Sequence, residues 1–292
     1  MSAPVRRACV DIGSNTTRLL VADCERDQLR DIHQEREFTR IGRAITDGVI
    51  APEKVAEVVE VVSAQLRRAQ QLGAREVRAV ATAAIRRAAN RDELVSAISA
   101  ACGLEVEVLT GEDEARLAFL GAARRLGHRP GGELGVVDVG GGSSELVVGL
   151  PPDQVHWCAS IAVGSGDLAE QCVHCDPPSR AELAEIKDRV SEAMRDLSVP
   201  HTAEAVAVGG SATSLRRLSG PLLDRDAFGR SLTLLCSERA AAVASRFKLD
   251  VERVKLLPAG LVILESASRK FGAPLQLGRG GVREGVLLEV CT

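Results

Sequence analysis

Between residues 134 and 149 the chain reads Leu-Gly-Val-Val-Asp-Val-Gly-Gly-Gly-Ser-Ser-Glu-Leu-Val-Val-Gly. An apolar run reaches Asp138, three glycines turn the backbone, and a second apolar run follows Glu145. That pattern predicts two strands joined by a tight turn, with an acid and hydroxyls at its tip. Gly140, Gly141 and Gly142 have no side chains to cover their N–H groups, so an anion can come close. Ser143 and Ser144 add hydroxyl donors, and Asp138 could hold a cation against that anion. This is phosphate-loop chemistry; a plain glycine hairpin is the competing reading of the stretch alone.

A second copy separates the two readings. Residues 11–22, Asp-Ile-Gly-Ser-Asn-Thr-Thr-Arg-Leu-Leu-Val-Ala, align without a gap on residues 138–149. Asp11 matches Asp138, Gly13 matches Gly140, Thr16 matches Ser143 and Leu19 matches Leu146. The separation far exceeds the roughly 20–50 residues of a solenoid repeat. It fits a duplicated domain whose two hairpins face each other across a cleft, with Ser14, Asn15 and Thr16 on one wall and Gly141, Gly142 and Ser143 on the other. A third stretch, Ala205-Val-Ala-Val-Gly-Gly-Ser-Ala-Thr213, repeats the strand–glycine–hydroxyl grammar but opens a helix. Gly210, Ser211 and Thr213 therefore stand at a helix N-terminus, where an anion is favoured.

Three further stretches carry candidates. Thr82 and Arg86 stand near the end of a strand, where ligands bind in α/β sheets; Arg86 or Arg87 is placed to clamp a phosphate, or else lies on a solvated helix face. Thr110 is a candidate N-cap, followed by Glu112, Asp113 and Glu114 in a first turn. Acids there complement the helix dipole, and successive residues diverge by about 100°, so one of the three faces a cleft. Cys172 and Cys175 are the one close cysteine pair, half of a zinc site without a second half. Arg40 and Arg43 lie in a loop facing no obvious acid.

The elements that position these groups follow from periodicity. A strand at 5–12 returns through 18–24, and a polar-edged strand spans 26–35. Pro52 opens a helix at 52–72 with a Val55, Val58, Val59, Val62, Leu66 stripe, ended by Gly73. Glu76–Ala81 is a buried strand, Asn90 caps a helix at 91–102, and Leu104–Leu109 is a strand. The helix after Thr110 runs to about Gly127, and 127–132 is the clearest linker. Beyond the second hairpin come a strand at 155–163, a short helix after Gly164, and a helix from the Ser179/Glu182 capping box to about Leu197. Helices follow at 209–218, about 237–247 and 257–271. Gly280-Gly281 introduces the last helix, about 282–292. Two units result, 1–125 and 126–281, with the last helix free to pack back on the first.

Composition narrows the function. The 292 residues include five Phe, one Trp and no Tyr, so the core must be aliphatic and base stacking on single-stranded nucleic acid is disfavoured. A net charge of −3 gives no global pull toward polyanions; positive charge for an anionic ligand must be concentrated locally. Without a signal-peptide region, a membrane-length apolar run or a cysteine framework, the expectation is a cytoplasmic protein with reduced thiols and no membrane or nucleic-acid polymer as partner.

The stretches Asp11–Leu19, Ala81–Asn90, Thr110–Arg116, Asp138–Glu145, Val208–Thr213 and Arg283–Gly285 resemble, in order, the motifs of the exopolyphosphatase/guanosine pentaphosphate phosphohydrolase (Ppx/GppA) family. That family lies within the actin-like ATPase superfamily. The resemblance implies an α/β fold of two duplicated actin-like (ribonuclease H-like) domains, mixed sheets flanked by helices, in a short two-domain form. It places a Mg²⁺- or Mn²⁺-dependent phosphohydrolase site in the interdomain cleft. Glu114 matches the family's catalytic carboxylate; Asp11, Asp138 and Glu145 match acids near the metal and the attacking water, and Arg86 a phosphate-contacting arginine. The implied reaction is removal of the terminal phosphate of inorganic polyphosphate or of guanosine pentaphosphate. An ATP-dependent kinase of the same fold and a non-catalytic guanosine pentaphosphate sensor are the rival readings. The sequence does not choose between the two substrates or decide for or against a homodimer.

Overall fold

The computed structural model describes residues 4–25 and 28–291. In chain order the first half runs β1 (Val5–Ile12), β2 (Thr17–Glu25), β3 (Gln28–Glu37), a 3₁₀ turn (Ile41–Ala44), the small hairpin β4 (Ile45–Thr46) and β5 (Val49–Ile50), α1 (Pro52–Gln71), β6 (Glu76–Ala81), α2 (Ala83–Arg87), α3 (Arg91–Cys102), β7 (Val106–Val108) and α4 (Gly111–Arg124). The second runs β8 (Leu134–Val139), β9 (Ser144–Leu150), β10 (Gln154–Ile161), α5 (Ser165–Cys172), α6 (Arg180–Met194), β11 (Glu204–Val208), α7 (Gly209–Ser219), β12 (Leu222–Leu223), α8 (Arg225–Ser237), α9 (Ala240–Phe247), α10 (Val251–Phe271), β13 (Leu275–Leu277) and α11 (Val282–Glu289).

The two sheets have the same plan. Their strand orders are β3-β2-β1-β6-β7 and β10-β9-β8-β11-β13-β12. In each, a central strand pairs antiparallel with its hairpin partner and parallel with a later strand: β1 with β2 and β6, β8 with β9 and β11. This is the mixed α/β architecture of two duplicated halves expected from the repeated hairpin. Parallel pairing puts the ends of β1 and β6, and of β8 and β11, on one edge of each sheet, and the candidate residues cluster there.

Local chemistry explains the helices. Proline at the start of α1 sacrifices no intrahelical bond, and Val58, Val62, Leu66 and Ala69 bury its inner face. The Ser179/Glu182 capping box opens α6 with both reciprocal bonds made. Thr110 accepts from the Asp113 N–H at 3.1 Å and so caps α4. Asn90 holds the N-cap position of α3 without a side-chain capping bond: its amide accepts from Ile50 N–H and donates to Ile50 O and to Glu93 Oε2, which ties the β4–β5 hairpin to the helix start. Helix α8 fills a stretch that sequence periodicity leaves unassigned, with Asp224 as its cap. Helix α10 begins at its Asp250 cap and carries Pro258 inside, rather than starting near that proline. The strand before α4 is shorter than its apolar run, and the start of the 26–35 strand lies outside the described residues.

Helix α4 is shared between the halves. Leu117, Ala118 and Leu120 join the cluster formed by β1, β2 and α11, while Ala115, Phe119 and Ala122 pack on β8, β9 and β11. Helix α11 returns from the second sheet to the first and crosses α4 at backbone contact. A Cβ on Gly121 would overlap Gly281 O, and one on Gly285 would overlap Leu117 O. Glycine is required at both crossings because nothing larger fits.

Candidate active site

The two hairpin turns are built alike. Gly13 N–H donates to Thr16 O at 3.0 Å, and Gly140 N–H donates to Ser143 O at 3.0 Å. Asp11 stands opposite Arg18 in the first hairpin and Asp138 opposite Glu145 in the second. The same register position thus holds a cation on one wall and an acid on the other.

Each turn is supported from behind. Arg40 N–H donates to Asn15 O at 3.0 Å and Gly42 N–H to Ser14 O at 2.8 Å, while the Ser14 hydroxyl accepts from Ala84 N–H at 3.2 Å. On the other side the first amides of α5, from Ser165, Gly166 and Asp167, donate to the carbonyls of Gly140 and Gly141 at 2.9 Å. Helix α5 does not line the cavity, so these carbonyls are held away from an approaching anion. The turns also meet each other: a Cβ on Gly141 would stand 2.9 Å from Asn15 Cβ, and one on Gly142 would stand 2.5 Å from Ser14 Oγ.

Between the turns lies a cavity of about 260 Å³. Asp11, Ser14, Asn15, Thr16, Glu114, Asp138, Gly141, Gly142, Ser143, Glu145, Gly210 and Thr213 all line it. Of the three acids opening α4, only Glu114 does so. Two candidates lie elsewhere. Ser211 is fully buried with its hydroxyl directed at Ser165 Oγ, 3.5 Å away, because the helix turn rotates it inward against Gly260. Arg86 sits behind the acids: its Nη1 donates to Leu109 O at 2.8 Å and to Glu114 Oε2 at 3.0 Å. It therefore orients a carboxylate and does not itself line the cavity. Cys172 is buried in the core and Cys175 is exposed, and the described residues contain no group of three or more potential His, Cys, Asp or Glu metal ligands.

Burial sets the electrostatics. Loss of water raises the Asp11 carboxyl above the usual range, opposed by Arg18 and Arg283. It raises Asp138 to about 6 and Glu114 to about 7, the latter in spite of the Arg86 bond. Glu145, 1% exposed and accepting from Ser160 Oγ at 2.8 Å, is pushed well up, by burial and by the charges of Glu114 and Asp138. Like charges crowd the opposite side. Arg18 is lowered to about 9, first by the neighbouring Arg283 and then by burial; Arg253 is lowered to about 10 by burial. Neither guanidinium has a partner for its buried Nε. Arg18, Arg253 and Arg283 thus share one small space with Asp11, Glu114, Asp138 and Glu145, which suits a ligand that brings negative charge together with a cation.

Several of these groups escape sequence reasoning. Arg18 had a signal: the internal alignment sets it against Glu145. Arg283 and Glu284 lie in a quoted motif without an assigned role, and both are buried against the cavity. Arg253 comes from the first turn of α10 with no motif to mark it. Beside it, the Phe38 ring has Arg36 at 4.8 Å and Arg253 at 5.9 Å from its centroid.

The rim overturns the reading of Arg40 and Arg43 as unpaired. Arg40 meets Glu252 at 3.0 Å, Arg43 meets Glu170 at 3.1 Å and Arg87 meets Asp167 at 3.0 Å. Arg87 also donates to Gly142 O at 3.0 Å. Each pair joins a first-half arginine to a second-half acid.

Comparison with known proteins bears on the family and the fold. The model of the Ppx/GppA phosphatase family matches residues 20–292. Exopolyphosphatase 2 of Mycobacterium tuberculosis is 34% identical over 298 residues, covering 92% of each chain. The crystal structure of the Aquifex aeolicus Ppx/GppA family member superposes with a TM-score of 0.80 at 28% identity, covering 98% of this chain and 97% of that one. An exopolyphosphatase from Cytophaga hutchinsonii shares the fold at a TM-score of 0.83 and 20% identity, covering 98% and 97% of the two chains.

Proposed function

Since the chain belongs to the Ppx/GppA phosphatase family and is a phosphohydrolase, we propose that it removes terminal phosphate from inorganic polyphosphate with a divalent cation. The observation that carries this reading is the cavity itself. It is small, lined by hairpin amides, hydroxyls and arginines, and has no aromatic side chain among its described lining residues. Bare phosphate units match that lining, whereas a nucleobase finds no stacking surface inside. The naming of several relatives as exopolyphosphatases supports the same choice.

Asp11 and Asp138 fit a hard divalent cation. Both offer carboxylate oxygens, and among the described residues neither is committed to an ion pair. Their burial leaves negative charge that a cation would neutralise. Magnesium is commonly held by one or two carboxylates together with waters and substrate phosphates, so a complete protein cage is unnecessary. When bound, the cation would offset phosphate charge at the reacting end.

The remaining roles belong to the chain. Arg18, Arg253 and Arg283 attract and orient the polyanion. Ser14, Asn15, Thr16, Gly141, Gly142, Ser143, Gly210 and Thr213 surround it. Arg86 holds Glu114 toward the cavity, and Glu114 takes the proton of a water attacking the terminal phosphorus in line. Glu145, its carboxyl pushed well up by burial and by the charges of Glu114 and Asp138, orients that water. Residues 1–125 with the final helix form one body and 126–281 the other, closing on the ligand between them.

A guanosine pentaphosphate phosphohydrolase is the second reading, favoured by Phe38 and its arginines beside the cavity. Phosphate release should be measured side by side from short polyphosphate, long polyphosphate and guanosine pentaphosphate with Mg²⁺. Release from polyphosphate is expected. Turnover of the nucleotide alone would overturn the proposed substrate, and ATP consumption requiring an added acceptor would overturn hydrolysis altogether.

A further inference from the structure

None of the eight cysteines takes part in the site above, yet two of them meet at the seam between β2 and the segment after α11. Cys24 ends the buried part of β2 and is 5% exposed. Cys291 is partly exposed and packs against the same cluster, which includes Cys9, Leu20, Val286 and Leu287. Cys291 packs on the cluster that contains Cys24, close enough for the two thiols to act on each other, and the Arg7 guanidinium acts on Cys24 as well. Arg7 is itself fixed by Glu76 at 2.9 Å, and Asp23 is the other charge acting on Cys24. The neighbouring thiol first, and Arg7 next, bring Cys24 down to about 7; the same neighbour and burial push Cys291 up. One thiolate is therefore accessible to the pair near neutral pH, and Cys291 opens it to solvent. The other cysteines differ: Cys9 is fully buried and Cys175 is exposed beside Glu182, which raises its thiol.

We propose that Cys24 and Cys291 form a reversible disulfide that fastens the C-terminal helix to the first sheet. With a low-molecular-weight disulfide as oxidant, a thiolate of the pair attacks one oxidant sulfur and expels a thiolate. The second cysteine, deprotonated, then attacks the protein-bound sulfur and expels the second thiolate. The two protons end on the released thiols; the oxidant gains two electrons and the protein loses them. Such couples in reducing compartments are usually transient and redox-sensing. At its other end α11 is held by Arg283 Nη1, which donates to Leu19 O on the same strand at 3.3 Å. The disulfide would therefore tie β2 and α11 together at both ends.

The test equilibrates the full chain in glutathione buffers of graded potential, quenches thiols with an alkylating agent, and maps peptides by mass. A Cys24–Cys291 linked peptide is expected to appear with the loss of two hydrogens, to vanish on reduction, and to be absent in Cys291→Ser. Hydrogen exchange in α11 should slow on oxidation. Glutathione on Cys175 with Cys24 and Cys291 still alkylated as thiols would overturn the proposal. So would a mixed disulfide on either residue that never closes, or pairing of Cys24 with a different cysteine.

Discussion

Replacing Glu114 with Gln isolates the group asked to move a proton. Gln keeps the shape and can still accept from Arg86 Nη1, but it cannot serve as a base. Loss of a general base typically costs about 10²–10⁴-fold in rate, so phosphate release should fall into that range while polyphosphate binding persists. A second effect runs the other way. Burial raises the Glu114 carboxyl from 4.5 to about 7, so ionised Glu114 is worse off folded than unfolded by roughly 3 kcal/mol. The folded state binds the extra proton between those values. The wild type is therefore unaffected below 4.5, loses stability as pH rises toward 7, and carries the full cost above it. Glu114→Gln, permanently neutral, should unfold later than wild type at pH 8, by up to roughly 3 kcal/mol or several degrees, and the gap should close by pH 4. Thermal melts with a chelator present, paired with phosphate release in Mg²⁺, measure both. Activity within a few-fold of wild type, or a stability difference that ignores pH, would refute the assignment of this carboxyl as a buried base.

Other perturbations probe the surroundings. Adding Mg²⁺ to chelated protein should raise its melting temperature, with about 2.7 kcal/mol expected at a hundred times Kd, and Asp138→Asn should abolish most of that gain; an unchanged response would remove Asp138 from the cation site. Gly209 has φ +85 and a Cβ there would overlap Asp138 Oδ1, so Gly209→Ala should cost at least about 1–3 kcal/mol and reduce activity, read by denaturant melts and phosphate release; a neutral result would contradict the close approach. The three rim pairs are partly exposed and worth roughly 0–1 kcal/mol each. Neutralising Asp167, Glu170 and Glu252 together should therefore loosen the closed arrangement and raise the radius of gyration in small-angle scattering, and an unchanged profile at low and high salt would deny them that role.

The hairpins, the α4 cap and the longer strands were legible because each is a local pattern: glycine after an apolar run, threonine before acids, alternation with a fixed period. Glu114 could be preferred over Glu112 and Asp113 only as one of three directions around a helix, with family resemblance choosing among them. What stayed hidden depends on distance in the chain. Arg253 reaches the cavity because α10 packs beneath α7, and Arg40 finds Glu252 across more than two hundred residues. Arg86 illustrates a subtler limit. Its position beside the site was readable, but whether its guanidinium meets a phosphate or Glu114 is decided by the path of the strand end, Leu109 O included. Asn90 opens α3 where the sequence places it, but a tertiary claim from Ile50 takes its amide, so the capping bond itself is not made.

The exchange of Arg18 for Glu145 at matching places has a consequence for what the molecule can distinguish. A frame made of two equal walls would treat a string of identical units the same way whichever end entered first. By setting a cation on one wall and an acid at the matching place on the other, the duplicated architecture acquires polarity. On the proposed polyphosphate substrate, that polarity would make the end lying against the acid wall the reacting one.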